Sequence, residues 1–201
     1  MKIKAFKSIE FLAKGKRSEV YKALYKNQKV AIKLFKTQDS KKRAKKEANF
    51  ILILNKENIG PKLIFQENNY IVYKLIEGPR FIDWLNQSDK KSTLKMISKI
   101  LDVCYKIDKL GINKLELHNP KKHILIENNK PILIDFERCY FTDNPKNLTQ
   151  FCQYLISKKI QYILKSKKIK IKRVTLISVL KKYKVNKNTN FKIILKHIES
   201  S

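Results

Sequence analysis

The stretch Pro131-Ile132-Leu133-Ile134-Asp135-Phe136-Glu137 decides the fold. A short apolar run of strand length ends on a carboxylate. Just upstream, Ile124–Ile126 is a second short apolar run, and the polar turn Glu127–Lys130 joins the two as a small hairpin. Helical patterns lie on both sides. Phe81, Trp84 and Leu85 mark a short helix; Leu94, Ile97, Ile100, Leu101, Cys104 and Ile107 mark a longer one ending at Gly111. From about Leu148 onward the chain reads as mostly helical. Ahead of Glu77-Gly78-Pro79 the character is different. Ala5–Leu12, Glu19–Tyr25 and Lys29–Phe35 read as an antiparallel meander, followed by a helix from Lys41 to Lys56 capped by Asp39 or Ser40. Lys62–Phe65 and Tyr70–Ile76 then read as two more strands around the turn Gln66–Asn69. The expected architecture is α+β: residues 1–77 form a five-stranded antiparallel lobe with one helix, and residues 78–201 a small, truncated, mostly helical lobe that holds the hairpin.

Composition narrows the functional classes. The 201 residues carry 46 Lys+Arg against 17 Asp+Glu, a net +29, yet 43% are apolar, enough to offset the entropy of ordering. No apolar run has the length of a membrane span, and the first 17 residues lack the continuous apolar stretch of a signal peptide. A cytoplasmic protein without a membrane partner is expected. Three cysteines, Cys104, Cys139 and Cys152, show no C-x-x-C spacing and read as buried thiols. From Asn144 to Ile198 there is no acid at all, against 15 Lys/Arg, so the last quarter carries half the net charge. An acid-free basic segment is a footprint for a phosphate backbone, which makes RNA or a ribosomal particle the expected partner class. A compositional origin stays open beside it, since only five of the 46 cations are Arg, the bidentate phosphate reader.

Two further signals bear on chemistry. Val30-Ala31-Ile32-Lys33 is a strand ending on a lysine, the V-A-I-K pattern whose lysine pairs with nucleotide phosphates. The helix after it holds six basic residues and a single acid, Glu47, on the stripe of Ala44, Ile51 and Leu54. A lone carboxylate there is suited to orient Lys33 by an ion pair. Asp135, at the end of its apolar strand, offers a hard oxygen donor of the type that Mg²⁺ prefers.

The order of elements, with these motifs, resembles a two-lobed kinase, and within that class the RIO-type atypical kinases and their small archaeal relatives, over about residues 10–155. Gly15-Lys16-Arg17-Ser18-Glu19-Val20-Tyr21 is similar to the RIO phosphate loop G-K-x-x-x-V-Y. With one glycine, Lys16 and Ser18 are expected to supply side-chain phosphate contacts in place of amides. Asn58-Ile59-Gly60-Pro61-Lys62 resembles the exit of the RIO helix, and Ile71–Gly78 the hinge. The resemblance implies an ATP site of Gly15, Lys16, Ser18, Val20, Ala31, Lys33 and Glu47, with Tyr73 as gatekeeper and Lys74 to Ile76 offering backbone groups to adenine. It also places Asp135 at the D-F-G aspartate. Glu137 stands where that motif has glycine, so a fixed metal site is expected rather than a mobile switch.

The catalytic loop departs from H-R-D-x-x-x-x-N. Lys114-Leu115-Glu116-Leu117-His118-Asn119-Pro120-Lys121-Lys122-His123 occupies that stretch, with Glu116 the candidate base and either Asn119 or His123 completing the metal site; magnesium favours oxygen, which makes His123 the poorer donor, and both stay open. Cys104, His118, His123 and Cys139 match no zinc-finger spacing. His197 has no partner in sequence and is expected to face solvent. No A-P-E follows Asp135, so a large peptide-docking segment is missing. The reading is an ATP- and Mg²⁺-dependent serine/threonine kinase of atypical type. An ATP-binding pseudokinase associated with RNA and a small-molecule kinase stand as alternatives.

Overall fold

The structure is a computed structural model that describes residues 6–201. Ala5, at the start of the first expected strand, lies outside the described residues. Contacts divide the chain into two units. The first runs to Glu77 and takes in Ile132–Arg138; the second holds Gly78–Pro131 and Cys139–Ser201. The hairpin's acidic end, expected with the helical part of the chain, belongs instead to the first unit, because Asp135 and Phe136 bond to Lys33 and Glu47 there.

The first unit is built on β1 (Phe6–Lys14), β2 (Ser18–Tyr25), β3 (Gln28–Phe35), β4 (Leu63–Glu67) and β5 (Tyr70–Lys74). They form one antiparallel sheet in the order β1-β2-β3-β5-β4. Lys26 and Asn27, both at positive φ, make the tight turn between β2 and β3, so β3 starts at Gln28. Helix α1 (Ser40–Asn55) packs on β3, β4 and β5, burying Ala44, Glu47, Ala48, Phe50, Ile51 and Leu54. Leu52 shares the helical spacing but is exposed, and Asp39 sits at the N-cap without a side-chain bond.

Strand alternation sorts the sheet into two faces. Phe6, Ala23, Val30, Ile32, Tyr70 and Val72 pack on one face with Tyr21, Tyr25 and Phe65. Register puts Ser18 opposite Phe35, Val20 opposite Lys33, and Ala31 opposite Tyr73, so these residues share the other face. β5 ends at Lys74, two residues earlier than expected, although Leu75 N–H still reaches Lys29 C=O at 3.2 Å.

The second unit is mainly helical: α2 (Phe81–Gln87), α3 (Lys90–Lys109), α4 (Asn147–Leu155), α5 (Lys158–Ser166), α6 (Arg173–Tyr183) and α7 (Lys187–Glu199). Short strands β6 (Ile112–Asn113) and β9 (Tyr140–Phe141) pair, as do β7 (Ile124–Glu127) and β8 (Lys130–Leu133). Asn128 and Asn129 turn that hairpin at positive φ. Position 78 has no room for a side chain: a Cβ there would lie 2.0 Å from the Ile126 carbonyl oxygen, while Pro79 C=O accepts from Ile126 N–H at 2.9 Å.

The acid-free stretch from Asn144 to Ile198 folds as α4 to α6 and all of α7 but its last residue, Glu199. Tyr105 of α3 stacks on Phe191 of α7 with ring centroids 4.1 Å apart and donates to Asn188. His197 is half-buried, with Nε2 shut from solvent, which corrects the solvent-facing expectation; helix α7 turns that edge inward beside buried Ile194 and Ile198. No helix among the described residues is long and apolar enough to cross a membrane.

Candidate active site

Lys33 is 5% exposed in the middle of β3, a position that a lysine occupies only when paired. Its Nζ lies 2.6 Å from Glu47 Oε2 and 2.7 Å from Asp135 Oδ1. Burial alone would push the Lys33 ammonium down, but the two carboxylates outweigh it and hold Lys33 above the ordinary lysine range. Glu47 is 1% exposed. Its second oxygen accepts the Phe136 N–H at 3.1 Å. Burial pushes the Glu47 carboxyl up and the Lys33 ammonium opposes that push. Tyr73, buried beside them on β5, has its phenol pushed up by burial. The lysine is thus charged, and aimed by one buried and one accessible carboxylate.

Asp135 is the accessible member, 40% exposed, and takes φ +66, a left-handed conformation uncommon for a residue with a Cβ. What holds it there follows directly along the chain. Phe136 is fully buried, with its ring against Gly60 at φ +80, where a Cβ would come within 3.0 Å of the ring. Glu137, 9% exposed, receives Arg43 Nη1 at 2.7 Å and lies 3.5 Å from Arg17 Nη1. Oxygens of Glu47, Asp135 and Glu137 lie within 4.8 Å of one another, the one carboxylate group of this kind among the described residues. All three are engaged within the protein, Glu47 and Asp135 by Lys33 and Glu137 by Arg43, and Asp135 is the most exposed of them.

At the β1–β2 turn, Gly15 N–H is committed to Ser18 C=O at 2.8 Å, while the Lys16 side chain is exposed. In the segment Lys74 to Ile76, Lys74 N–H is bonded to Lys62 C=O and Leu75 N–H to Lys29 C=O. Ile76 N–H has no acceptor among the described residues.

No protein-family model matches the sequence. The chain is 33% identical over 76 residues to the uncharacterized protein MJ1211 of Methanocaldococcus jannaschii, a match that covers 38% of this chain and 65% of that protein. Among solved structures it is similar to the Rio2 kinase of Chaetomium thermophilum, with a TM-score of 0.60 at 18% identity, over 80% of this chain and 56% of that one. The fold is protein-kinase-like. The chain thus spans less than two thirds of the length of either relative.

The remaining predicted residues belong to the second unit. Glu116 lies in a 3-10 turn, Leu115–His118, straight after β6. Its Oε2 is 3.2 Å from Nζ of Lys114, a lysine with no exposed surface. The Lys114 N–H donates to Asn147 Oδ1 at 2.7 Å, and Asn147 Nδ2 donates to Asp108 Oδ1 at 2.7 Å and to Ile112 C=O at 2.6 Å. Tyr183 completes the cluster by donating to Asp108 Oδ2 at 2.9 Å. The Glu116 turn is therefore hung from a buried polar network joining α3, α4 and α6, a loop support that sequence reading missed. Asn119 is exposed and His123 half-buried, at either end of a second 3-10 turn, Pro120–Lys122. Cys104, Cys139 and Cys152 are buried free thiols, with burial pushing Cys104 and Cys152 up.

Proposed function

We propose that this chain is a phosphotransferase of the RIO-like serine/threonine kinase type, using ATP and Mg²⁺. The observation that carries the reading is the buried Lys33 held between Glu47 and Asp135 on one face of the sheet. Phosphoryl transfer is mostly positioning and charge neutralisation, so a fixed ammonium and an accessible carboxylate are the parts it needs. Lys33 binds and orients the phosphates, with Glu47 setting its direction. Asp135 is the residue that would hold magnesium, and the hard oxygen donor set fits that ion. Bound magnesium supplies neutralisation of phosphate charge. Ser18, Val20, Ala31 and Tyr73 share the Lys33 face and are assigned to the nucleotide, with Lys16 reaching phosphate from the turn. The Gly15 amide already serves its own turn, which favours side-chain contacts there. Of the Lys74 to Ile76 segment, Ile76 N–H is assigned to the adenine edge. For the second unit, the motif alone assigns Glu116 as a candidate base and Asn119 or His123 as candidate metal ligands.

The test pairs nucleotide binding with turnover. ATP with Mg²⁺ raises the melting temperature, and ADP accumulates. Stabilisation without ADP is the result expected of a pseudokinase and removes the transferase reading.

A polyanionic partner, RNA or a ribosomal particle, is proposed for the second unit. Two adjoining cavities of about 330 and 510 Å³ share Thr149 and Lys184. Lys146, Lys187, Arg173 and Lys181 also line them, with no carboxylate in either lining. Lys167, though in the same basic quarter, belongs to the scaffold, since its ammonium bonds the Ser88 and Asn86 carbonyls. Affinity for a labelled RNA oligonucleotide falls steeply with salt, and replacing the groove cations by Gln flattens the slope by about one for each phosphate no longer neutralised. A slope unchanged by those substitutions excludes the groove.

A further inference from the structure

We propose that Glu137 is a built-in anionic anchor: a positioning residue that fastens α1 to the Asp135 segment and ties in the β1–β2 turn, so that the Lys33–Glu47 pair is assembled without any modification. The proposal deepens the phosphotransferase reading and rests on it. Arg43 and Glu47 are four residues apart on α1 and share a face. Glu47 takes Lys33 and the Phe136 amide, while Arg43, one turn earlier, takes Glu137 at 2.7 Å. The three successive residues 135–137 are each fastened: by a carboxylate to Lys33, by an amide to Glu47, and by a carboxylate to Arg43.

Residue choice supports a designed contact. The chain has 41 Lys and only five Arg, and two of those Arg converge on this one nearly buried carboxylate. The planar guanidinium is the group suited to a desolvated carboxylate, whereas a surface pair would be served equally by any of the lysines. Arg17 arrives from the turn where nucleotide phosphates are expected. Its Nη1 is 3.5 Å from Glu137, and its C=O accepts Lys36 N–H at 3.0 Å, so the turn is fixed from both its side chain and its backbone.

The consequence is regulatory. Kinases commonly set the helix that carries this Glu through a phosphate on the activation segment that pairs with Arg. Here the anion is a genetically fixed carboxylate two residues beyond Asp135. The helix position is then constitutive and needs no phosphate from the short segment after residue 137.

The experiment compares Glu137→Gln, Arg43→Ala and Arg43→Lys with the unmodified full chain. It reads kcat and KM for ADP formation from Mg²⁺-ATP, and amide exchange of the 133–138 segment. Ile64→Ala, on the far face of the sheet, is the control for general loss of stability. Glu137→Gln and Arg43→Ala lower kcat about a hundredfold, with KM for ATP moving far less, and raise exchange at Phe136 about tenfold; Arg43→Lys recovers part of both. Unchanged kcat and exchange in Glu137→Gln, or an equal kcat loss in Ile64→Ala at matched stability, overturns the anchor. If the unmodified chain forms no ADP, the transferase reading fails, and exchange alone decides the anchor: raised in Glu137→Gln supports it, unchanged overturns it.

Discussion

The Lys33 face of the first unit's sheet and the basic helices α4 to α7 of the second use the same lysine excess in opposite ways. In the first, one lysine is buried at a point where two carboxylates meet, and two of five arginines converge on a third. In the second, 15 cations between Asn144 and Ile198 form no ion pair with a carboxylate among the described residues. The difference teaches that in a chain of net +29 the cations do not locate the chemistry; the scarce acids do. An exposed unpaired lysine is solvated and acts through the summed field. A buried one persists only because its partners repay the cost of desolvation.

The comparison predicts very unequal responses to losing one positive charge. Lys33→Met leaves Glu47 buried and unpaired beside Asp135, and costs about 3–5 kcal/mol, seen in urea unfolding. A single groove substitution such as Lys187→Gln stays within about 0.5 kcal/mol. Equal effects of the two would break the contrast. Asn147→Ala, next in size, strands the Lys114 amide and one side of Asp108, for about 2–3 kcal/mol of the stability of the second unit. The first unit's amide protection should not follow it.

The smallest effect concerns an exposed acid. The Ser92 backbone N–H, and then its hydroxyl, hold the Asp89 carboxyl below its ordinary value at the N-cap of α3. A depressed folded value means that the contribution is full above the ordinary carboxylate range and fades as pH falls through the folded value. Amide exchange in the first turn of α3 rises over that acid window, and Asp89→Ala abolishes the pH dependence while leaving the Lys33 site unaltered.

Much of this was legible in sequence, for local reasons. Alternation in β3 and a carboxylate ending an apolar run are written within a few residues. Glu47 stood out because no other acid lies on its helix. In sequence Glu137 reads only as the residue that stands where the motif has glycine. Its partner Arg43 lies 94 residues away, beyond what spacing conveys. The network under Glu116 was hidden for the same reason: Asp108 and Asn147 are 39 residues apart, and polar groups inside apolar stripes become intelligible only when their partners are seen. His197 was misjudged because a lone histidine near a terminus carries no periodic signal of the face it occupies.

The most direct measurement is the rate of ADP formation from Mg²⁺-ATP by the unmodified chain and by Asp135→Asn, a change that keeps shape and removes one charge. The account predicts turnover that falls by about 10³-fold in the variant, with both proteins equally folded. Turnover retained by Asp135→Asn would contradict it.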